Sequence, residues 1–152
     1  MCVAFDAGKH TFRNDLYADY KGTRKGMPDE LAMQMPMLKD LLQKMGIFII
    51  EKLGIEADDI IGTLANRFEN TKNIIMTGDR DCLQLINDHT EVWLTKHGIS
   101  EIVEMNERHL KEEWGLVPSQ IIDLKALMGD SSDNIPGVPY VGVLHLHKQI
   151  TF

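Results

Sequence analysis

Cysteine is scarce: Cys2 and Cys82 are the only two in 152 residues. That excludes a disulfide framework, and no Cys–His spacing suits a zinc site. Long apolar runs are also missing, since nothing approaches the roughly 18 residues of a membrane span. The opening MCVAFDAGKH has too few apolar residues for a secretory signal, and nothing like a cleavage site follows it. Internal repeats and low-complexity tracts are absent. There is no excess of positive charge either, with 16 Lys and Arg against 23 Asp and Glu and a net charge of −7. Taken alone, that balance argues against a nucleic-acid partner, because phosphate contacts need basic side chains. What remains is 43% hydrophobic and 26% charged. This is the composition of one soluble domain with a real core, and the expected location is the cytoplasm, with no membrane partner.

Short apolar runs alternate with helical patterns. CVAF (Cys2 to Phe5) reads as a buried strand ending at Asp6, IFII (47–50) as a second, and NIIM (73–76) as a third. Pro28 followed by Asp29 and Glu30 starts a helix that should run to about Met45 and stop at Gly46, with a kink near Pro36. Ile60, Ile61, Leu64, Ala65 and Phe68 form the stripe of a helix over 57–68. A short helix is expected over 81–86. EVWL and ISEIV read as two strands joined by a turn at KHG. Asn106 caps a helix to about Trp114, and another should span Pro118 to Met128. GDSSDNIPGVPYVG reads as loop. The pattern predicts an α/β domain with a mainly parallel central sheet flanked by helices.

In such sheets ligands bind beyond the carboxyl ends of the strands. Eight carboxylates fall at element ends: Asp6, Glu56, Asp58, Asp59, Asp79, Asp81, Asp130 and Asp133. Each cluster alone has a plainer explanation. Glu56, Asp58 and Asp59 favour the positive end of a helix dipole, Asp79 can cap a helix, and Asp130 and Asp133 suit an Asx turn. Together they predict convergence on one edge of one sheet. An all-oxygen set suits hard cations, Mg2+ or Mn2+, and eight acids suit two ions about 4 Å apart, as used for in-line attack at phosphorus. Setting those eight aside from 23 leaves 15 acids against 16 basic residues. The overall acidity then no longer opposes a DNA partner.

VAFDAGKHTFRNDLYADYKGTR, EADDIIGTLA, TGDRDCLQL and IIDLKALMGDSSDNIPGVP resemble, in order and spacing, motifs of the 5′-3′ exonuclease domain of bacterial DNA polymerase I, within the flap-endonuclease family. The likeness runs from about Cys2 to Pro139. It implies a PIN-like α/β domain over 1–139 that cuts branched or 5′-ended DNA with two divalent metals. By resemblance, Asp6, Glu56, Asp58 and Asp59 serve the first metal. Asp79 and Asp81 bridge toward the second, joined by Asp130 and Asp133. Residues 12–27 match a helical gateway in which Arg13 and Lys21 are catalytic. Tyr17, Tyr20, Arg24, Lys25, Gly137 and Gly142 join them as DNA contacts. A segment so basic and aromatic is expected to be disordered without DNA.

Two departures qualify that expectation. The family begins with one further strand carrying another metal-binding aspartate, and continues past GVP into a helix-hairpin-helix unit. On this reading the first strand is expected to be lacking here and 140–152 to form a divergent tail, in which His145 to His147 read as incidental rather than as zinc ligands. Impaired activity is then expected, with marginal stability or a homo-oligomer covering the gap, and a homo-oligomer or a polymerase is the expected protein partner. The alternatives are a catalytically inactive DNA- or protein-binding remnant, and a small-molecule phosphohydrolase on a similar scaffold.

Overall fold

Strand β1 runs over Cys2–Thr11, well past the Phe5 boundary expected from its apolar run. The structure is a computed structural model that describes residues 1–96 and 100–139. His97 and Gly98 of the KHG turn, Gly142, the His145 to His147 group and the rest of the 140–152 tail lie outside the described residues. Strand β2, Phe48–Gly54, also extends beyond IFII, and the two pair in parallel. Cys2 faces Phe48, Asp6 faces Lys52, and a register slip then brings Thr11 opposite Gly54. Asp6 therefore lies within a strand, not at its end.

The chain divides into two compact units, Met1–Ile61 with Ser132–Asn134, and Gly62–Ser131 with the remainder. The first unit holds β1, the short helix α1 (Phe12–Leu16), helix α2 (Asp29–Lys44) and β2. Helix α2 supplies the crossover that a parallel pair requires. It starts one residue after Pro28 with Asp29 and Glu30 in its first turn. It ends before Gly46, whose φ of 74° is the left-handed region that glycine enters without strain. Pro36 sits inside it, and no residue of α2 is buried. The buried side chains of this unit are mostly polar: Thr11, Tyr20 and Glu56, with Ile60.

Helix α3, Ala57–Arg67, leads into the second unit. There β3 (Asn73–Thr77) pairs in parallel with β4 (Thr90–Lys96), which pairs antiparallel with β5 (Glu101–Met105). A single 3-10 helix, Arg80–Leu85, stands where a short helix was expected. Leu83, Val92, Met105, Leu110 and Ile121 are essentially inaccessible and form the main core. Helix α4, Glu107–Trp114, is capped by Asn106, whose Oδ1 accepts the His109 N–H at 2.9 Å. Helix α5, Gln120–Met128, begins only after a turn at Pro118–Ser119.

One expectation is corrected. GDSSDNIP is not wholly loop, because β6 (Gly129–Asp130) and β7 (Ile135–Pro136) form a small antiparallel ladder. The backbones touch there: a Cβ on Gly137 would stand 2.1 Å from the Met128 carbonyl oxygen, and one on Gly129 2.2 Å from the Gly137 nitrogen. The strands form separate ladders, β1–β2, β3–β4–β5 and β6–β7. The α/β class with parallel strands and flanking helices is as expected.

Candidate active site

In the first unit, carboxylates and basic side chains interlock. Thr11 ends β1, and Asn14 Oδ1 accepts its N–H at 2.9 Å, starting α1 immediately. That helix points Arg13 at Asp59. The guanidinium donates to both carboxylate oxygens at 2.8 Å each, and also stacks 4.6 Å from the Phe12 ring centre. The bidentate geometry is the strong form of such a pair. The hydrogen bond from Arg13, opposed in part by burial, holds the Asp59 carboxyl below its ordinary range. Asp59 Oδ2 also accepts the Glu56 N–H at 2.9 Å, closing the first turn of α3.

Glu56 is buried, at 7% exposure, so its charge needs partners. Lys21 Nζ lies 2.8 Å from Oε2, and the Tyr20 hydroxyl donates to the same oxygen at 3.1 Å. Lys21 has φ 55°, an uncommon conformation for a residue with a side chain, and its N–H donates to the Asp133 carbonyl at 2.8 Å. The Tyr20 hydroxyl also stands 3.0 Å from Asp133 Oδ2. Burial, then the charges of Glu56 and Asp133, push its ionisation well above the ordinary range, so it remains a neutral donor. Arg24 pairs with Asp133 and donates to the Ser132 carbonyl at 3.0 Å. Asp6 Oδ1 accepts the Ala57 N–H at 2.8 Å, at the start of α3. Asp58 is exposed in that first turn, and Tyr17 and Lys25 are exposed too.

The expected disorder of the gateway is thus not observed. Arg13, Tyr20, Lys21 and Arg24 pin the segment to acids of its own unit. Tyr20 is 6% exposed, so its ring is packed inside rather than presented for base stacking. Gly137 is explained by its close backbone approach to Met128.

The second unit holds Asp79, Asp81 and Asp130. Asp79 caps the 3-10 helix, accepting the Asp81 N–H at 2.9 Å. Lys125, from the last turn of α5, places its Nζ 2.6 Å from Asp81 Oδ1 and 2.8 Å from Asp130 Oδ2. Burial pulls the Lys125 ammonium down, but hydrogen bonds and charge from both acids outweigh it and leave it above its ordinary value. The sequence reading missed Lys125. Its signal was a lone lysine in the last turn of a helix, just ahead of Asp130.

The donor set fits a hard divalent cation in kind, being carboxylates without His or Cys. Asp81 Oδ1 supports that fit. It is buried, and the Lys125 ammonium stands 2.6 Å from it, a cation in the place a metal ion would take. The spacing is not yet that of a metal cage: among the described residues no three acidic, His or Cys side chains stand close enough to hold one ion.

The family model of the 5′-3′ exonuclease, N-terminal resolvase-like domain, matches residues 1–115. DNA polymerase I of Lactococcus lactis subsp. cremoris (strain MG1363) is 51% identical over 146 residues, which cover 93% of this chain and 17% of that protein. DNA polymerase I of Bacillus subtilis (strain 168) is 51% identical over 144 residues, 93% of this chain and 16% of that one. The chain therefore spans about a sixth of the length of these relatives. The T5 D15 protein co-crystallised with metal ions superposes with a TM-score of 0.81 at 26% identity, covering 98% of this chain and 59% of that one. A T5 D15 flap endonuclease in a pseudo-enzyme-product complex with DNA and metal ions gives 0.79 at 25% identity, over 98% and 58% of the two chains. With its motifs in order, its α/β fold matched and most of its length under the family model, the chain belongs to the 5′-3′ exonuclease family.

Proposed function

We propose that the chain hydrolyses phosphodiester bonds of branched or 5′-ended DNA, as a 5′-3′ exonuclease and 5′-flap endonuclease dependent on Mg2+ or Mn2+. One observation carries this reading. Arg13, Lys21 and Arg24 lie in contact with Asp59, Glu56 and Asp133. Phosphoryl hydrolysis needs cations for the phosphate and carboxylates for the metals within reach of one another, and this segment supplies both.

In the first unit Asp6, Glu56, Asp58, Asp59 and Asp133 are the candidate ligands; in the second, Asp79, Asp81 and Asp130. A divalent ion held by such carboxylates would lower the pKa of an attacking water or stabilise a leaving oxygen. The chain's own residues do the rest. Arg13 and Lys21, released from their carboxylates, donate to the non-bridging phosphate oxygens as charge builds on them. Tyr20 braces Glu56 and Asp133 in fixed rotamers. Arg24, Lys25 and Tyr17 follow the strand by charge and stacking, which is tolerant of sequence.

The test is cleavage of a 5′-labelled flap oligonucleotide in Mn2+. Asp79→Asn keeps the capping acceptor and removes the charge, so folding is preserved while cleavage falls by about 10²–10³. Undiminished cleavage by that variant would remove Asp79 from the site. A second reading, a DNA-binding module without cleavage, is favoured by the absence of a three-acid cluster among the described residues. Flap binding without products at millimolar Mn2+ would select it. Hydrolysis of p-nitrophenyl phosphate with intact flap DNA would instead select a small-molecule phosphohydrolase.

A further inference from the structure

We infer that Lys125 is the resident counter-ion of the Asp81 and Asp130 carboxylates, and that a divalent cation binds there only by exchange, with the ammonium moving out to solvent. This rests on the reading above that Asp81 and Asp130 are metal ligands.

The geometry is that of a cation already seated. One Nζ lies 2.6 Å from Asp81 and 2.8 Å from Asp130. Two carboxylates so close to one ammonium would repel each other without it. Neither acid is sequence-adjacent to the other. Asp81 comes from the 3-10 helix after β3, and Asp130 from β6, so Lys125 is what ties the two elements' charges together. The lysine is also favourably placed. It stands in the last turn of α5, where the helix dipole favours positive charge.

Exchange is possible because the seat is asymmetric. Asp130 has 16% of its side chain exposed, whereas Lys125 has 36%. Its flexible four-carbon stem can carry the charge into water without leaving a core cavity. A divalent ion neutralises both carboxylates, while the ammonium offsets only one charge. The ammonium's presence keeps the two acids close together, but its departure is a cost in every metal-binding event. Contrast Arg13 and Asp59, whose two matched hydrogen bonds make a rigid fork.

Two measurements on the full chain test this. In Mn2+ titrations followed by electron paramagnetic resonance, Lys125→Met should bind the ion about tenfold more tightly than wild type, the worth of one lost charge-assisted contact. Lys125→Arg should stay near wild type, and Asp130→Asn should bind more weakly. If Asp130→Asn binds as wild type does, the metal reading of this acid fails and the exchange fails with it. If Asp130→Asn weakens binding but Lys125→Met does not tighten it, the exchange alone is wrong. The second measurement needs no variant and so survives misfolding of Lys125→Met. Acetic anhydride labelling of wild-type protein, read by mass spectrometry, should rise at Lys125 when Mg2+ is added, relative to exposed Lys44. Unchanged or lower labelling at Lys125 would overturn the inference.

Discussion

The Arg13–Asp59 pair shows how one residue couples stability to pH. Asp59 ionises below its ordinary value of 3.8 in the folded chain. Its pairing therefore contributes fully above about pH 4 and is lost as pH falls through the lower folded value. Asp59→Asn should flatten the acid limb of a stability–pH curve below pH 4, as followed by circular dichroism, while leaving its shape at neutral pH. An equally steep acid limb in the variant would mean that this pair carries no pH-linked stability. At this scale the sequence was informative about residue type and less so about partners. Eight acids were readable from motif and position. That basic gateway residues would seat themselves on those acids was not, because ion pairs between Arg13 and Asp59 leave no periodic trace. Lys125 was missed for the same reason.

At the scale of elements, local signals carried furthest where they were strongest. The cap at Asn106 fixed α4 to the residue. Asn106→Ala should cost about 1 kcal/mol, seen as a lower urea midpoint, because His109 would lose its acceptor. An unchanged midpoint would show that the cap is replaceable. Boundaries set by pairing were harder to read. β1 overran its apolar run to Thr11, pairing with β2 through Asp6 and again at Thr11 after a register slip, a non-local fact. The β6–β7 ladder hid in a stretch of turn residues, held by a backbone approach that only glycine permits at 129 and 137. The gateway was expected to be disordered on composition, yet a capped short helix and four contacts to carboxylates give it a defined path.

At the scale of the whole molecule, the α/β class and family were legible because four motifs kept their order. The division into two units was not, since it depends on which strands find partners. The units differ in how they are held. The second has a dense apolar core around Leu83, Val92, Met105 and Ile121, whereas α2 of the first buries nothing. Amide hydrogen exchange should accordingly show stronger protection in β3, β4 and β5 than in β1 and β2. Equal or reversed protection would contradict this account of the packing.

The polar interior around Glu56 has a thermal consequence. A region held by paired charges uncovers little oily surface when it opens, so it adds little to the heat-capacity increment of unfolding. Its response to cooling or mild warming is correspondingly flat. Added electrolyte, by shielding those charges where they reach water, is the variable that loosens it.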